Sequence, residues 1–277
     1  AIDGSTKREY KIDLRIRKVD PDLINWKKQT LSIPSTVRLQ KTVLVEGEGF
    51  YTFSIYNDNQ FYLHKTDKAA TVYGARALIN GITASDIVLE SIVTFNGKFF
   101  ALDNSNNGYS SDDGINWTLK SSNIFAIWGV LPSATVENDA LLVITENAGV
   151  TFFGKTSDMS AIESIREFTE FELKNIPLSG FSSATSYDRS NLNKNILTIT
   201  GGQKENDSYI NQTWFAQIDK SGEFRVISNQ QHSRFDAKAG IASFMYDSYL
   251  YVLINNKFYK SVFADSWNLA PDEEQLP

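Results

Sequence analysis

Residues 109–120 read YSSDDGINWTLK, and the spacing of Ser110, Asp112, Gly114 and Trp117 within them sets the reading of the whole chain. Serine and aspartate side chains hydrogen-bond nearby backbone amides and hold a tight turn. Gly114 supplies a backbone conformation that a Cβ would penalise. Trp117 then folds back and buries its ring against a neighbouring sheet. An aromatic of that size hides roughly 150–250 Å², worth at most about 4–6 kcal/mol at ~25 cal/mol per Å². Such a turn describes architecture and carries no chemistry.

On either side of it the chain is repetitive. From Arg38 onward, each unit holds three short apolar runs separated by Asn, Gly and Asp turns. The runs are 42–46, 50–56 and 60–65; 87–95, 99–103 and 108–111; 125–130, 140–145 and 150–155; 183–187, 196–200 and 213–218; and 239–246, 249–254 and 257–262. Asn96-Gly97 and Asn255-Asn256 are hairpin turns. After each triplet a polar turn precedes an aromatic that opens a fourth strand: Tyr73, Trp117, Phe168, Phe224 and Trp267, with Trp26 in the same slot ahead of the first unit. These aromatics succeed one another every 43 to 56 residues, a four-stranded repeat that predicts a β-propeller. Five triplets against six aromatics predict five blades plus an extra strand, with six blades as the alternative. The one candidate helix is 160–168.

Composition bounds the function. The 277 residues are 42% hydrophobic and 13% aromatic, enough for a substantial core. A net charge of −6 lacks the basic footprint that nucleic acid requires. No apolar run approaches the length of a membrane span. With no cysteine, disulfides, thiolate metal sites and cysteine nucleophiles are excluded. The chain opens at Ala1 without methionine or an apolar signal core, so a removed leader or an upstream domain is expected.

The S-x-D-x-G-x-x-W spacing resembles an Asp box, the turn between outer strands in several propeller families. Partial copies precede the other aromatics: Thr66-Asp67, Thr156-Ser157-Asp158, Asp219-Lys220-Ser221-Gly222 and Ala264-Asp265-Ser266. Residues 196–202, ILTITGG, followed by Trp214, resemble a kelch repeat. There the glycines (here Gly201 and Gly202) allow close backbone packing, and the tryptophan packs on the next blade. The mixture resembles uncharacterised Bacteroidetes cell-envelope proteins that carry an immunoglobulin-like domain ahead of a propeller. The V-D-P-D…W stretch at 19–26 is similar to their interdomain junction. That resemblance implies a periplasmic, cell-surface or secreted location and no established activity. It divides the chain into a strand or linker at 1–22 and a propeller at 23–277.

Catalytic signals are sparse. A sialidase-like glycoside hydrolase needs three arginines for the substrate carboxylate, and Arg38, Arg76, Arg166, Arg189, Arg225 and Arg234 are available; Val37-Arg38-Leu39-Gln40 departs from that family's arginine motif. A two-carboxylate glycosidase could draw on Glu46, Glu48, Asp86, Glu90, Asp188 or Asp236. His64 and His232 are the only histidines and lack metal-ligand spacing, and no G-x-S-x-G nucleophile elbow is present. Asp112-Asp113 with Asn104, Asn106 and Asn107 is rich in oxygen but lacks the acidic residue that closes a calcium loop. Trp128 stands outside the ladder of fourth-strand aromatics, near the start of an inner strand, and is the ring to watch for ligand stacking. The sequence therefore predicts an all-β propeller without catalytic residues, metal or cofactor, binding a glycan or a cell-envelope protein through loops at one face of the ring. A glycoside hydrolase is the alternative.

Overall fold

Twenty strands, numbered β1 to β20 along the chain, form five antiparallel sheets of four among the described residues, each sheet taking consecutive strands in order. The computed structural model describes residues 36–275 apart from 68–73, 188–194, 207, 220, 230–234, 239, 247–248 and 263–265. Blade 1 holds β1 (Val37–Val45), β2 (Gly49–Tyr56), β3 (Phe61–Thr66) and β4 (Ala77–Leu78). Blade 2 holds β5 (Ile87–Phe95), β6 (Lys98–Asp103), β7 (Gly108–Ser111) and β8 (Thr118–Ser121). Blade 3 holds β9 (Ile124–Leu131), β10 (Ala140–Asn147), β11 (Val150–Thr156) and β12 (Glu163–Glu167). Blade 4 holds β13 (Ser182–Ser186), β14 (Ile196–Thr200), β15 (Thr213–Ile218) and β16 (Phe224–Asn229). Blade 5 holds β17 (Ala242–Tyr246), β18 (Tyr249–Ile254), β19 (Lys257–Ser261) and β20 (Asn268–Leu269). The propeller is five-bladed. Residues 1–22, Trp26 and Tyr73 lie outside the described residues.

Sequence pattern follows position in the blade. Second strands such as β6 (KFFALD) and β10 (ALLVITEN) are almost continuously apolar because neighbouring blades cover both faces. Outer strands β4, β8 and β20 are short and largely exposed. Asn96 and Gly97 have φ of 49° and 73°, and Asn255 and Asn256 have 52° and 59°, the positive pair a two-residue hairpin needs.

The core lies between blades rather than within them. Phe53, Leu63, Ile92, Phe99 and Trp117 fill the wedge between blades 1 and 2. Phe100, Leu102, Ile127, Leu141 and Met159 fill that between blades 2 and 3. Trp128, Phe153, Leu197 and Trp214 join blades 3 and 4, and Phe215, Phe235, Val252 and Trp267 join blades 4 and 5. Trp117 meets Phe53 of blade 1 edge-on at 6.0 Å, and the Trp267 indole donates to Thr213 Oγ1 of blade 4 at 3.3 Å. Each reaches back to the preceding blade.

Three sequence expectations are corrected. The turn after β7 is bonded by Ser111 and Asp113, one residue later than the Ser110–Asp112 spacing implies. Ser111 Oγ accepts from Gly114 N at 2.9 Å, and Asp113 accepts from Ile115 N, Asn116 N and Asn116 Nδ2 at 2.7 to 2.8 Å. Ser110 is half-buried on β7, and Asp112 points to solvent and pairs with Lys98 Nζ at 3.0 Å. The cause is the two-residue strand period: Ser111, the last residue of β7, faces inward, so its neighbours face out. Gly114 has φ 75°, and the Trp117 indole donates to Gly114 O at 3.1 Å.

The same inward hydroxyl closes the third strand elsewhere, with Thr66, Thr156 and Ser261 all buried, whereas β15 ends in Ile218. In blade 3, Thr156 Oγ1 accepts from Met159 N at 2.9 Å, and Met159 takes the positive φ (64°) that Gly114 has in blade 2. The aromatic slot there belongs to Ile162. Phe168 falls after β12 and packs against Phe153 instead, the rings tilted with centroids 4.4 Å apart.

Finally, 160–168 is no helix: it is a turn followed by β12. The helix, α1 (Glu170–Asn175), starts at Thr169, whose side chain and that of Glu172 make a reciprocal capping box.

Candidate functional site

The first strand of blade 2 is interrupted where the blades converge. β5 pairs regularly with β6 at Val88↔Leu102, then shifts register before Val93↔Phe100. Ser91 holds this bulge: its hydroxyl donates to Val88 O at 2.6 Å and accepts from Leu102 N at 2.8 Å. Bulges re-aim side chains, and in this one Glu90 is exposed beside the buried Leu89, with Ile92 buried two residues on.

Next to it, the turn from β6 to β7 is built on Asp103. Its carboxylate accepts from Ser105 N, Asn107 N, Asn107 Nδ2 and Tyr109 Oη at 2.8 to 3.2 Å. Burial works to raise this carboxyl, but those hydrogen bonds outweigh it and hold Asp103 below the ordinary aspartate range. The turn is docked on its neighbours through Asn104 Nδ2 to Ser85 O at 2.8 Å and Ile124 N to Asn106 O at 2.9 Å. Of the side chains suspected of calcium ligation, Asn107 serves this turn, Asn104 docks it, Asp113 holds the turn after β7 and Asp112 pairs with Lys98; no cluster of three or more metal-ligating side chains occurs among the described residues.

A third wall comes from the segment between α1 and β13, residues 176–181. Leu178 N and Gln203 N bond to Gln203 O and Ser179 O, each at 2.8 Å, fastening this segment to the turn after β14. Close contact is required here. A Cβ on Gly202 (φ 105°) would lie 2.8 Å from Phe181 Cβ, Pro177 Cβ and Ser179 O, and one on Gly201 (φ 66°) 2.2 Å from Ile241 Cδ1. Gly201 lets blade 4 approach blade 5, and Gly202 lets the turn after β14 close against the segment that leads into blade 4.

Between these walls, where blades 2, 3 and 4 meet, lies a cavity of about 320 Å³. Phe125, Leu102 and Phe181 give it apolar surface, while Asn104, Asn106, Glu90 and Glu205 give it polar groups. Lys204 also lines it, with Nζ 3.4 Å from Asn175 Oδ1 at the end of α1. Lys41 on β1 lies in the field of Glu90; burial lowers its pKa and Glu90 opposes that shift.

Of the residues singled out in the sequence, Glu90, Asn104 and Asn106 reach this cavity. Trp128 does not: it is fully buried, its indole donates to Pro177 O at 3.2 Å, and it meets Phe153 and Trp214 at 5.4 and 6.5 Å. It is a core residue because its position on β9 faces blade 4. Trp214 is likewise buried, against Trp128 of the neighbouring blade. Asp86 accepts from Thr83 Oγ1 at 2.6 Å, and Glu48 accepts from Tyr51 Oη.

The arginines are scattered. Arg76 covers Tyr62 and Tyr56 in blade 1, Arg166 is bidentate on Glu172, and Arg225 pairs with Asp219 and Glu223. His64 is buried with Nε2 2.9 Å from Tyr56 Oη. His232, Asp188, Arg189 and Arg234 lie outside the described residues. Phe125, Phe181, Lys204 and Glu205 were not singled out. They do share one phase of the repeat, the start of a first strand or the turn after a second, and that phase was the available signal.

Among solved structures, the chain is similar to "YCF48 bound to D1 peptide" (13% identity, TM-score 0.46, covering 86% of this chain and 70% of that one). It is also similar to the SapL1 lectin in complex with alpha methyl fucoside (10%, 0.45, 82% and 76%) and to BamB from Moraxella catarrhalis (9%, 0.33, 81% and 56%). No curated protein matches the sequence. Residues 20–277 match the family model described as the DUF6242 beta propeller domain.

Proposed function

Since this chain belongs to the DUF6242 β-propeller family, we propose that it is a non-catalytic binding protein that takes a glycan in the cavity between blades 2, 3 and 4. The observation that carries this is the lining itself: phenyl rings of Phe125 and Phe181 beside the amides of Asn104 and Asn106 in about 320 Å³. Ligand sites combine mostly apolar walls with a few fixed polar groups, and this volume lies at their lower end, the size of one or two sugar rings. Apolar C–H faces of a sugar suit the rings, and its hydroxyls suit the amides.

Hydrolysis would need one carboxyl kept protonated beside an ionised one. Asp103 is shifted the opposite way, with its oxygens committed to the turn. The arginine trio of a sialidase is not assembled among the described residues either, since Arg166 and Arg225 flank a groove on the outer rim.

An extracytoplasmic location and the identity of the turns as Asp-box and kelch-like elements belong to the same proposal, supported by the sequence resemblance to envelope propellers. A glycan array probed with the purified chain tests the function, with products analysed on every hit. Binding without turnover, weakened at least tenfold (~1.4 kcal/mol) by Phe181→Ala or Asn104→Ala, is the expected result. Turnover, or binding indifferent to both substitutions, would overturn it. Fractionation of the source cells checks the location.

A further inference from the structure

Each blade ends in an outer strand with one unpaired edge, a template for pairing with another chain that proteins blunt by shortness, bulges or cover. Four of the five outer strands are blunted. β4 and β20 have two residues each. Beside β20, the Gln275 side chain bonds Phe258 N, Phe258 O and Ala270 O. β8 has four residues and β12 five, and each pairs through a register shift.

β16 is different. Its six residues, FRVISN, contain neither proline nor lysine and pair with β15 in unbroken register from Thr213↔Asn229 to Ile218↔Phe224. The backbone bond from Asp219 N to Glu223 O sets the alternation in this hairpin. Arg225, Ile227 and Asn229 therefore bond back to β15, while Phe224, Val226 and Ser228 turn their N–H and C=O groups to the open edge. Among the described residues no other strand pairs with that edge.

The surroundings are apolar, and their few charges are nearly balanced. Ile227 is 54% exposed and Phe171 47%. Alongside runs a groove of about 500 Å³ lined by Phe171, Trp214, Phe224 and Val226, and the buried Trp214 Nε1 has no hydrogen-bond partner. The charges at its margins are already paired, Arg166 with Glu172 and Arg225 with Asp219 and Glu223. With two arginines set against three carboxylates, this edge adds little to the repulsion between two chains of net charge −6.

We propose that β16 pairs antiparallel with β16 of a second copy of this chain, about a two-fold axis through Val226, joining two blades into one eight-stranded sheet. In that register Phe224 faces Ser228, Arg225 faces Ile227 and Glu223 faces Asn229, so no like charges are opposed. The surface is self-complementary, as a two-fold interface requires.

Sedimentation equilibrium of the full chain over a range of concentrations tests this, and a reversible dimer is the expected result. Ile227→Lys, at an exposed position, sets an ammonium against Arg225 of the other copy and weakens association at least tenfold with an unchanged circular dichroism spectrum. Val226→Pro removes an outward N–H and does the same. Val226→Cys, in a chain with no other cysteine, forms a disulfide-linked dimer on mild oxidation, since residues facing each other in a bonded antiparallel pair have Cα atoms about 5.5 Å apart. A monomer at every concentration would overturn the proposal, as would a dimer untouched by all three substitutions.

Discussion

Blades 2 and 4 solve one problem in two ways. Each must leave its third strand, turn, and fill the wedge toward the preceding blade with a tryptophan. Blade 2 does it in the turn: Ser111 and Asp113 hold the backbone, Gly114 makes room beside Leu63 and Phe53, and Trp117 follows as the plug. Blade 4 does it in the strand: Trp214 sits inside β15, and the turn is a hairpin around Asp219, which accepts from Ser221 N and Glu223 N at 2.8 and 3.0 Å. The difference has a cost and a consequence. Spending six residues on the turn leaves blade 2 a short, shifted outer strand. Moving the indole into the strand frees blade 4 to build a long, regular one. Where the plug sits therefore decides whether the blade rim is closed or open to a partner.

The largest expected effect is deletion of either plug. Trp117→Ala and Trp214→Ala should each lose about 3–5 kcal/mol in urea unfolding, the usual cost of removing a large buried side chain. A loss below ~1 kcal/mol at either site would show that the wedge is not what holds the blades. Replacement by phenylalanine separates the two. Trp117→Phe strands the Gly114 carbonyl, which the indole satisfies, and should cost about 1–3 kcal/mol more than Trp214→Phe, whose Nε1 has no partner to lose.

Next comes the carboxylate of the blade 2 turn. Burial would raise Asp113, but the amides of Asn116 and Ile115 and the side chains of Asn116 and Ser111 bring it down from 3.8 to about 2. A depressed pKa stabilises the folded state above its unfolded value, so the contribution is complete above pH ~4 and disappears as pH falls through 2. Asp113→Ala should cost on the order of 2 kcal/mol at pH 7 and progressively less in acid. Asp112→Ala, with its side chain 82% exposed in an ion pair to Lys98, should stay within about 0.5 kcal/mol at any pH. Equal effects at the two positions would restore the original spacing.

The smallest contrast concerns glycines. A Cβ on Gly202 meets backbone and Cβ atoms at 2.8 Å, whereas one on Gly222, also at positive φ (83°), meets nothing within 4 Å. Gly222→Ala should cost only the strain of its turn, about 1 kcal/mol, and Gly202→Ala should exceed it by about 1 kcal/mol or more in thermal melts.

Much of the blade architecture was legible in one dimension. The strand runs, the hairpin turns at Asn96-Gly97 and Asn255-Asn256 and the glycines at 201–202 all express short-range rules. The misreadings share a cause. Choosing Ser110 and Asp112 over Ser111 and Asp113 turns on which face of β7 looks inward, and two adjacent serines followed by two adjacent aspartates fit either phase. Phe168 was assigned to the fourth-strand slot because it is aromatic, but the slot needs an inward position six residues beyond the closing hydroxyl, which Ile162 occupies. Thr169 and Glu172 carried a legible capping signal that begins at the residue right after the helix that was expected.

Local periodicity and turn chemistry, then, were enough for the chain alone to determine an all-β repeat of four-stranded units with indole plugs, because both depend on residues a few positions apart. Only the tertiary structure decided that there are five blades, that Trp128 is core, and that Phe125, Phe181, Asn104 and Glu205 share one cavity. Those residues come from three blades and as many as 101 positions apart. What brings them together is the close approach of blades about a common axis, and no local spacing encodes it.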